Sequence, residues 1–591
     1  MFYRLKSTAI VIACAAFCST VPIAKPAIAA TPASTTAAQM AAAAAADSRP
    51  AADLIIHNAR IWTVNAKQPE ADALAVLNGR FVAVGTEAEV MRWQGPHTRI
   101  VDARGNRLLP GFNDAHVHFS DGGASLSSVQ LVNVTSLQDF VQRIADYAAH
   151  APKGEWIRNG EWDETKWSPA RLPTRQDIDA VTPDNPVAID RYDGHMLLAN
   201  TKALALAGIT AKTPDPPGGL IVRDANGEPT GALKDAATEL LNKAEPPLSF
   251  AQRRRAIDAA LRESAMRGVT SVQDMSLDYG DLAVYSQLQA EDKLMVRVYG
   301  APLIAGVEDQ AKLGLGHAFG SPSLRIGALK MFADGSLGSR TAYFTQPYTD
   351  EPGNRGLLFS DMLPLIKAGQ RLIHADAANL QVCTHAIGDA AIKTTLDLYQ
   401  AVEKSDGPKD RRWRIEHAQH MAAADFDRFA QLHVIASVQP YQAIDDGRWA
   451  EARIGHDRAS RTYAFRTFMQ HGVRLAFGTD WPVAPLDPIL TLYAAVTRAT
   501  LDGKYPDGWF PEQKLSIQEA IAAYTIGSAY AEFQEHVKGS IEPGKLADMV
   551  LLSQDVLKIA PAAIRDTHVL KTFLGGVEIY DASTAPPPRR P

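Results

Sequence analysis

The run Leu108-Leu109-Pro110-Gly111-Phe112-Asn113-Asp114-Ala115-His116-Val117-His118 decides how this chain is read. An apolar stretch passes a Pro-Gly step and ends in two histidines one residue apart. Side chains on a strand alternate faces, so His116 and His118 point the same way and their imidazoles can share one ion. A His-x-His pair alone is a weak signal. Its weight comes from the rest of the chain, which repeatedly offers a short apolar strand with one ligand-type residue at its C-terminal end. Strands of that kind closing into a barrel bring those residues to one site.

Working outward, strands alternate with helical segments. Arg253 to Arg267 is an amphipathic helix stopped by Gly268, and Val269 to Asp274 follows as a strand. Similar strands are Met295 to Gly300, Leu324 to Phe332, Gln381 to His385, Arg412 to His417, His433 to Gln439 and Val473 to Asp480. With the His116-Val117-His118 strand they make eight, and this βα alternation predicts a parallel barrel rather than an open sheet. The stretch from about 120 to 240 is too long for a βα loop and reads as an inserted subdomain. Short β-type runs from Asp53 (Leu54 to His57, Ala59 to Val64, Arg80 to Gly85) resemble Gly544 to Leu552 and Val577 to Tyr580. They predict one small β-domain assembled from both chain ends.

Composition bounds the function. At 591 residues the chain suits one large domain and an accessory one, and 46% hydrophobic residues supply a core. A net charge of -6 gives no footprint for nucleic acid. Arg4 and Lys6 precede an apolar run from Ala9 to Phe17, and Ala27-Ile28-Ala29 is a small-residue cleavage pattern, as in a signal peptide. The apolar run is too short for a membrane span. Cleavage after Ala29 removes Arg4, Lys6 and Lys25 and no acid, taking -6 to -9. The expected location is periplasmic or secreted, with a lipoprotein site at Cys14 ranked second. Cys14 and Cys18 leave with the signal, so Cys383 remains without a disulfide partner and reads as a small buried hydrophobe.

Four further positions carry chemistry. Lys330 sits among apolar residues in Ile326-Gly327-Ala328-Leu329-Lys330-Met331-Phe332. A buried ammonium is costly unless paired, discharged or modified, and a neutral lysine can take up carbon dioxide as an anionic carbamate. The alternative is a lysine that snorkels out at a strand end. His385 and His417 each end an apolar strand, where a core histidine and a metal ligand look alike. Asp480, in Leu475-Ala476-Phe477-Gly478-Thr479-Asp480-Trp481, reads either as a ligand and proton acceptor or as a helix N-cap.

His116, His118, Lys330, His385, His417 and Asp480 fall in the order and spacing of the amidohydrolase superfamily, and the chain most resembles its family-3 branch, which includes N-substituted formamide deformylase-like enzymes. Supporting motifs are Ala333-Asp334-Gly335-Ser336-Leu337-Gly338-Ser339-Arg340, Thr384-His385-Ala386-Ile387-Gly388-Asp389, Gly478-Thr479-Asp480-Trp481-Pro482-Val483 and Gly539 to Asp548. The resemblance implies an α/β chain with a distorted TIM barrel and a small β-sandwich. The corresponding expected boundaries are a signal peptide at 1–29, an Ala-rich linker at 30–52, sandwich parts at 53–107 and 535–582, a barrel at 108–534 and a disordered tail at 583–591.

It further implies one or two divalent ions, usually zinc. His116, His118 and Asp480 would bind the more buried ion, His385 and His417 the second, with carboxylated Lys330 bridging. Metal-bound hydroxide would attack an N-formyl or N-acyl amide carbonyl, with Asp480 shuttling the proton to the leaving nitrogen. His195 resembles a position that hydrogen-bonds the carbonyl, and Trp162, Trp167 and Trp481 are expected to wall the pocket. Asp334 and Arg340 are expected to brace the loop after the fourth strand. Cyclic ureides, lactones or aminated heterocycles are alternative substrates, and a non-catalytic periplasmic metal- or solute-binding protein is the alternative class. The expected partner is a small molecule, and a homo-oligomer is left open.

Overall fold

Leu108 to His118 is two strands rather than one. Arg107–Pro110 ends at Gly111, and Phe112–Val117 (β1) opens a parallel sheet. Leu108-Leu109-Pro110 therefore belongs to the sheet of the chain ends, three residues beyond the expected boundary, while the histidines belong to the parallel strands. The computed structural model describes residues 50–584 apart from 165–166, 192–195, 217–218 and 236. The signal peptide, His195, nearly all of the linker and the end of the tail lie outside the described residues.

The expected eight strands are present. β1 pairs with Val269–Met275 (β2), which pairs with Arg297–Ala301 (β3), which pairs with Leu324–Ile326, the first part of β4. The second part of β4, Ala328–Phe332, begins another arc through Gln381–Ala386 (β5), Arg414–His417 (β6), Ile435–Val438 (β7) and Leu475–Phe477 (β8). Every pairing is parallel. The arcs meet at both ends. Asp480 N–H donates to the His116 carbonyl at 2.7 Å and His118 N–H to that of Trp481 at 2.8 Å, while Lys330 N–H donates to the Pro302 carbonyl at 2.7 Å. All residues of β1, β2, β3, β6, β7 and β8 are buried, as parallel strands covered on both faces require.

Gly478 explains how the last strand can approach the first so closely. A Cβ there would lie 2.5 Å from His116 N and 2.8 Å from His116 Cβ, so any side chain would push β8 off the histidine strand.

The insertion contains a five-stranded sheet, in the order Gly219–Arg223, Pro229–Asp235, Met196–Ala199, Val187–Arg191, Ile157–Trp162. Phe140, Trp162, Trp167, Ile189 and Leu198 pack in one cluster of this unit, and Trp156, Leu197 and Leu233 in another. Strands from the two chain ends share a six-stranded sheet in which Met549–Leu552 runs antiparallel to Arg107–Pro110. Ile56, Val76 and Phe81 from a neighbouring four-stranded sheet join Leu108, Leu551 and Phe573 in one apolar cluster. Arg107 clamps Asp555 through two hydrogen bonds of 2.7 and 2.8 Å, tying the two ends across 448 positions of sequence.

Candidate metal centre

The strand ends carry the site. His116 leaves β1 fully buried, and His118 follows it as the N-cap of the helix Phe119–Ser127 (α1). Asp480, three residues past β8, places Oδ1 at 3.3 Å from His116 Nε2 and 3.5 Å from His118 Nε2. One ligand atom from each of the three lies within 4.8 Å of the others. Lys330, with no exposed surface, brings Nζ to 3.3 Å from His116 Nε2. The His417 ring centre is 4.9 Å from that of His116, and the His385 ring centre is 4.5 Å from that of His417. All six expected ligands converge, and His116, His118 and Asp480 form the tight group among the described residues.

Electrostatics keep these groups ready for a cation. Burial, helped by Lys330, holds His116 well below the ordinary imidazole range, and burial followed by His417 and Lys330 does the same for His385. His417 is likewise lowered, first by burial. Burial also lowers the Lys330 amine from its usual range, as uptake of carbon dioxide requires. For Asp480 burial acts to raise the carboxyl, but His116, His118 and His417 outweigh it and hold it well down. Neutral rings beside an ionised carboxylate present lone pairs, which is the state a divalent ion binds. Two imidazoles and a carboxylate are a zinc-type donor set, and the buried His417 Nδ1 has no hydrogen-bond partner among the described residues. The residues present fit such an ion.

The backbone is strained at two of these positions. His417 has φ +68° and Asp480 φ +64°, left-handed conformations that cost a non-glycine residue on the order of 1–3 kcal/mol. Both turn a side chain at the end of a strand, so the surrounding packing holds the ligands in place.

A model of the Amidohydrolase family matches residues 99–580. The chain belongs to the amidohydrolase family. It is 38% identical over 543 residues to Protein LONG AFTER FAR-RED 3 of Arabidopsis thaliana, covering 90% of this chain and 92% of that protein. It is 29% identical over 545 residues to the N-substituted formamide deformylase of Arthrobacter pascens, covering 90% and 98%. An uncharacterized metal-dependent hydrolase of Pyrococcus furiosus superposes with a TM-score of 0.73 at 30% identity, over 85% of this chain and all of that one. This amidohydrolase is thus a hydrolase of carbon-nitrogen bonds in a metal-dependent family.

The tryptophans expected at the pocket are packed inward. Trp162 is completely buried, its indole N–H donating to the Ile189 carbonyl at 3.0 Å, and Trp167 is 4% exposed against Phe140. Both are core of the inserted unit, because its sheet needs large apolar side chains to cover one face. Trp481 is also packed inward, edge-on to Phe119 and so close to Gly122 in α1 that a Cβ there would overlap the indole. It packs the turn that carries Asp480 against α1. Asp334 braces the loop after β4, accepting N–H bonds from Tyr343, Ile387 and Gly388 at 2.7–2.9 Å, and burial pushes its carboxyl up to about 7. Arg340 pairs with Asp350 at 2.9 Å.

Three supporting residues escaped the sequence reading. Asp114 accepts from Thr479 N and Oγ1 and from Tyr524 OH at 2.8–2.9 Å, tying β1 to the loop that carries Asp480. Its signal was available, since it shares a strand face with His116 two residues on. Gln442 Nε2 donates to Asp480 Oδ2 at 2.9 Å, and Glu416 faces His116 Nδ1 at 2.7 Å. Nothing in their local sequence marks either one. Cys383 also does more than fill space, since its Sγ accepts from Arg414 Nε at 3.0 Å. Burial pushes its thiol up to about 11, so it carries its proton near neutral pH. A cavity of about 720 Å³ between Met266, Ile489, Val569 and Tyr580 shares no residue with this site.

Proposed function

We propose that this amidohydrolase cleaves the C-N bond of N-formyl or N-acyl amines, with one or two zinc ions. The observation that carries the reading is the convergence of His116, His118 and Asp480 beside buried Lys330 and His417. The relative named N-substituted formamide deformylase supports the substrate class. His116, His118 and Asp480 would hold one ion, and His385 and His417 a second, with Lys330, as its carbamate, a further ligand. When bound there, such an ion would supply Lewis-acid chemistry at the substrate carbonyl and a water that ionises near neutral pH.

Asp480 performs the proton transfers. Its carboxylate takes a proton from the attacking water and delivers it to the leaving nitrogen, giving a carboxylate and an amine. Oδ1 faces the two imidazoles while Gln442 holds Oδ2, so the carboxylate plane is set before substrate arrives. His195 hydrogen-bonds the substrate carbonyl in this reading. The ring of parallel strands is taken as a distorted (β/α)8 barrel and the sheets of the chain ends as a β-sandwich, with the first sandwich part extended through Pro110. In this reading the amino-terminal signal exports the enzyme, which is then periplasmic or secreted.

The test is metal analysis together with turnover of a panel of formamides, N-acyl amino acids, lactones and cyclic ureides. Zinc-dependent cleavage of formamides or N-acyl amines is expected. Turnover confined to lactones or ureides rejects the proposed substrate class, and bound zinc without turnover of any panel member rejects catalysis.

A further inference from the structure

The second nitrogen of His116 points away from the proposed ion, into the interior of the strand ring. It meets Glu416 Oε2 at 2.7 Å, and both side chains are fully buried. Glu416 belongs to β6, beside His385 of β5 and Ser437 of β7, so it reaches His116 across the ring and not along one strand. Arg414, two residues earlier on the same strand face, lies 2.8 Å from Glu416 Oε1 and has no exposed surface. Its Nε–H is directed at Cys383 Sγ, and its other nitrogens reach Gln273 Oε1 and Met275 Sδ. The Glu416–Arg414 attraction is therefore one of charge, with the guanidinium anchored by neutral neighbours.

A buried ion pair of this kind needs a reason. Apolar residues of similar volume usually do as well or better for stability, because two charges must be taken out of water. Here the pair has a third member whose chemistry depends on it. An imidazole offers a lone pair on one nitrogen only when the other carries the proton. A carboxylate 2.7 Å from Nδ1 accepts that proton's hydrogen bond and leaves Nε2 bare, facing Asp480 Oδ1 and Lys330 Nζ, both at 3.3 Å.

We infer that Glu416 is a positioning residue that sets the ligating tautomer of His116, and that Arg414 is the countercharge that lets a carboxylate occupy the ring interior. The inference rests on the metal-binding reading above. It assigns Glu416 and Arg414 to the function of the metal centre rather than to the stability of the strands.

The experiment compares the full-length wild type with Glu416→Gln and with the double variant Glu416→Leu/Arg414→Leu. Glu416→Gln keeps the shape and removes the charge, and the double variant removes both charges together. Zinc affinity is measured by chelator competition, and the His116 ring nitrogens are followed by their ¹⁵N shifts in metal-free protein labelled at histidine. Expected are zinc binding weakened about 10–100-fold in both variants, an Nδ1-protonated ring in the wild type, and a mixture of tautomers in the double variant. Melting of the metal-free variants within a few degrees of wild type separates positioning from support of the fold. Zinc affinity within twofold of wild type in a folded variant, or an Nε2-protonated His116 in the wild type, overturns the inference. If the wild type takes up no zinc, the metal-binding reading fails by itself, and the nitrogen shifts still decide the tautomer.

Discussion

The ring of parallel strands and the inserted sheet bury opposite things. At the strand ends, His116, Lys330, Glu416 and Arg414 have no exposed surface, although each bears a group that prefers water. In the insertion the corresponding depth is filled by Trp162, Phe140, Ile189 and Leu198. Charge inside the ring is tolerated because strands from far apart in sequence supply partners, as Glu416 does for His116 across 300 positions. The inserted sheet is built from strands close in sequence and has its own apolar clusters. At the strand ends the buried charges surround the candidate metal centre, while the buried aromatics of the insertion fill its own core.

Four substitutions test that contrast. Asp480→Asn should give the largest effect, a loss of turnover of about 10²–10⁴-fold, the range for removing a general acid-base group. Metal content should fall much less, and assays on a formamide substrate beside elemental analysis would show it. Full activity in that variant would take Asp480 out of the chemistry. Lys330→Ala should come next, lowering metal stoichiometry and activity together, with partial recovery when small carboxylic acids are added. Unchanged stoichiometry would return Lys330 to a purely structural place in the strand.

On the supporting side of the comparison, Trp162→Ala should cost about 3–5 kcal/mol of stability through the cavity it leaves. Its KM should stay near wild type, and a tenfold rise in KM with unchanged melting would make Trp162 a pocket residue after all. The smallest effect expected is a pH dependence at His420, buried in the loop after β6, where burial pushes the imidazole down to about 3. The unfolded chain, with an ordinary value near 6.5, takes up the proton first as pH falls. Its contribution is therefore full above 6.5 and declines by about 1.4 kcal/mol per pH unit between 6.5 and about 3. His420→Gln should flatten that part of the stability profile, measured by urea unfolding at pH 7 and pH 5, and an unchanged slope would exclude His420 as its source.

The amino-acid sequence by itself determined the strand count and order, because parallel strands covered on both faces must be continuous apolar runs, and these are visible without a partner. It also determined the candidate ligands, since His116, His118, His385, His417 and Asp480 each stand at or just past the end of such a run, where a closed ring gathers them. It could not determine what lies behind a ligand. Glu416 and Gln442 acquire their roles only from His116 and Asp480, residues on other elements, and the closure that brings them within 3 Å is a property of the whole ring.

Nor could sequence separate an aromatic that meets substrate from one that fills a core. Trp162, Trp167 and Trp481 have the same chemistry wherever they sit, and tertiary structure alone put them inward. The break at Gly111 was decided in the same way. Leu108-Leu109-Pro110 pairs with Met549 to Leu551 from the other end of the chain, and hydrogen-bond partners so distant leave no trace in local periodicity.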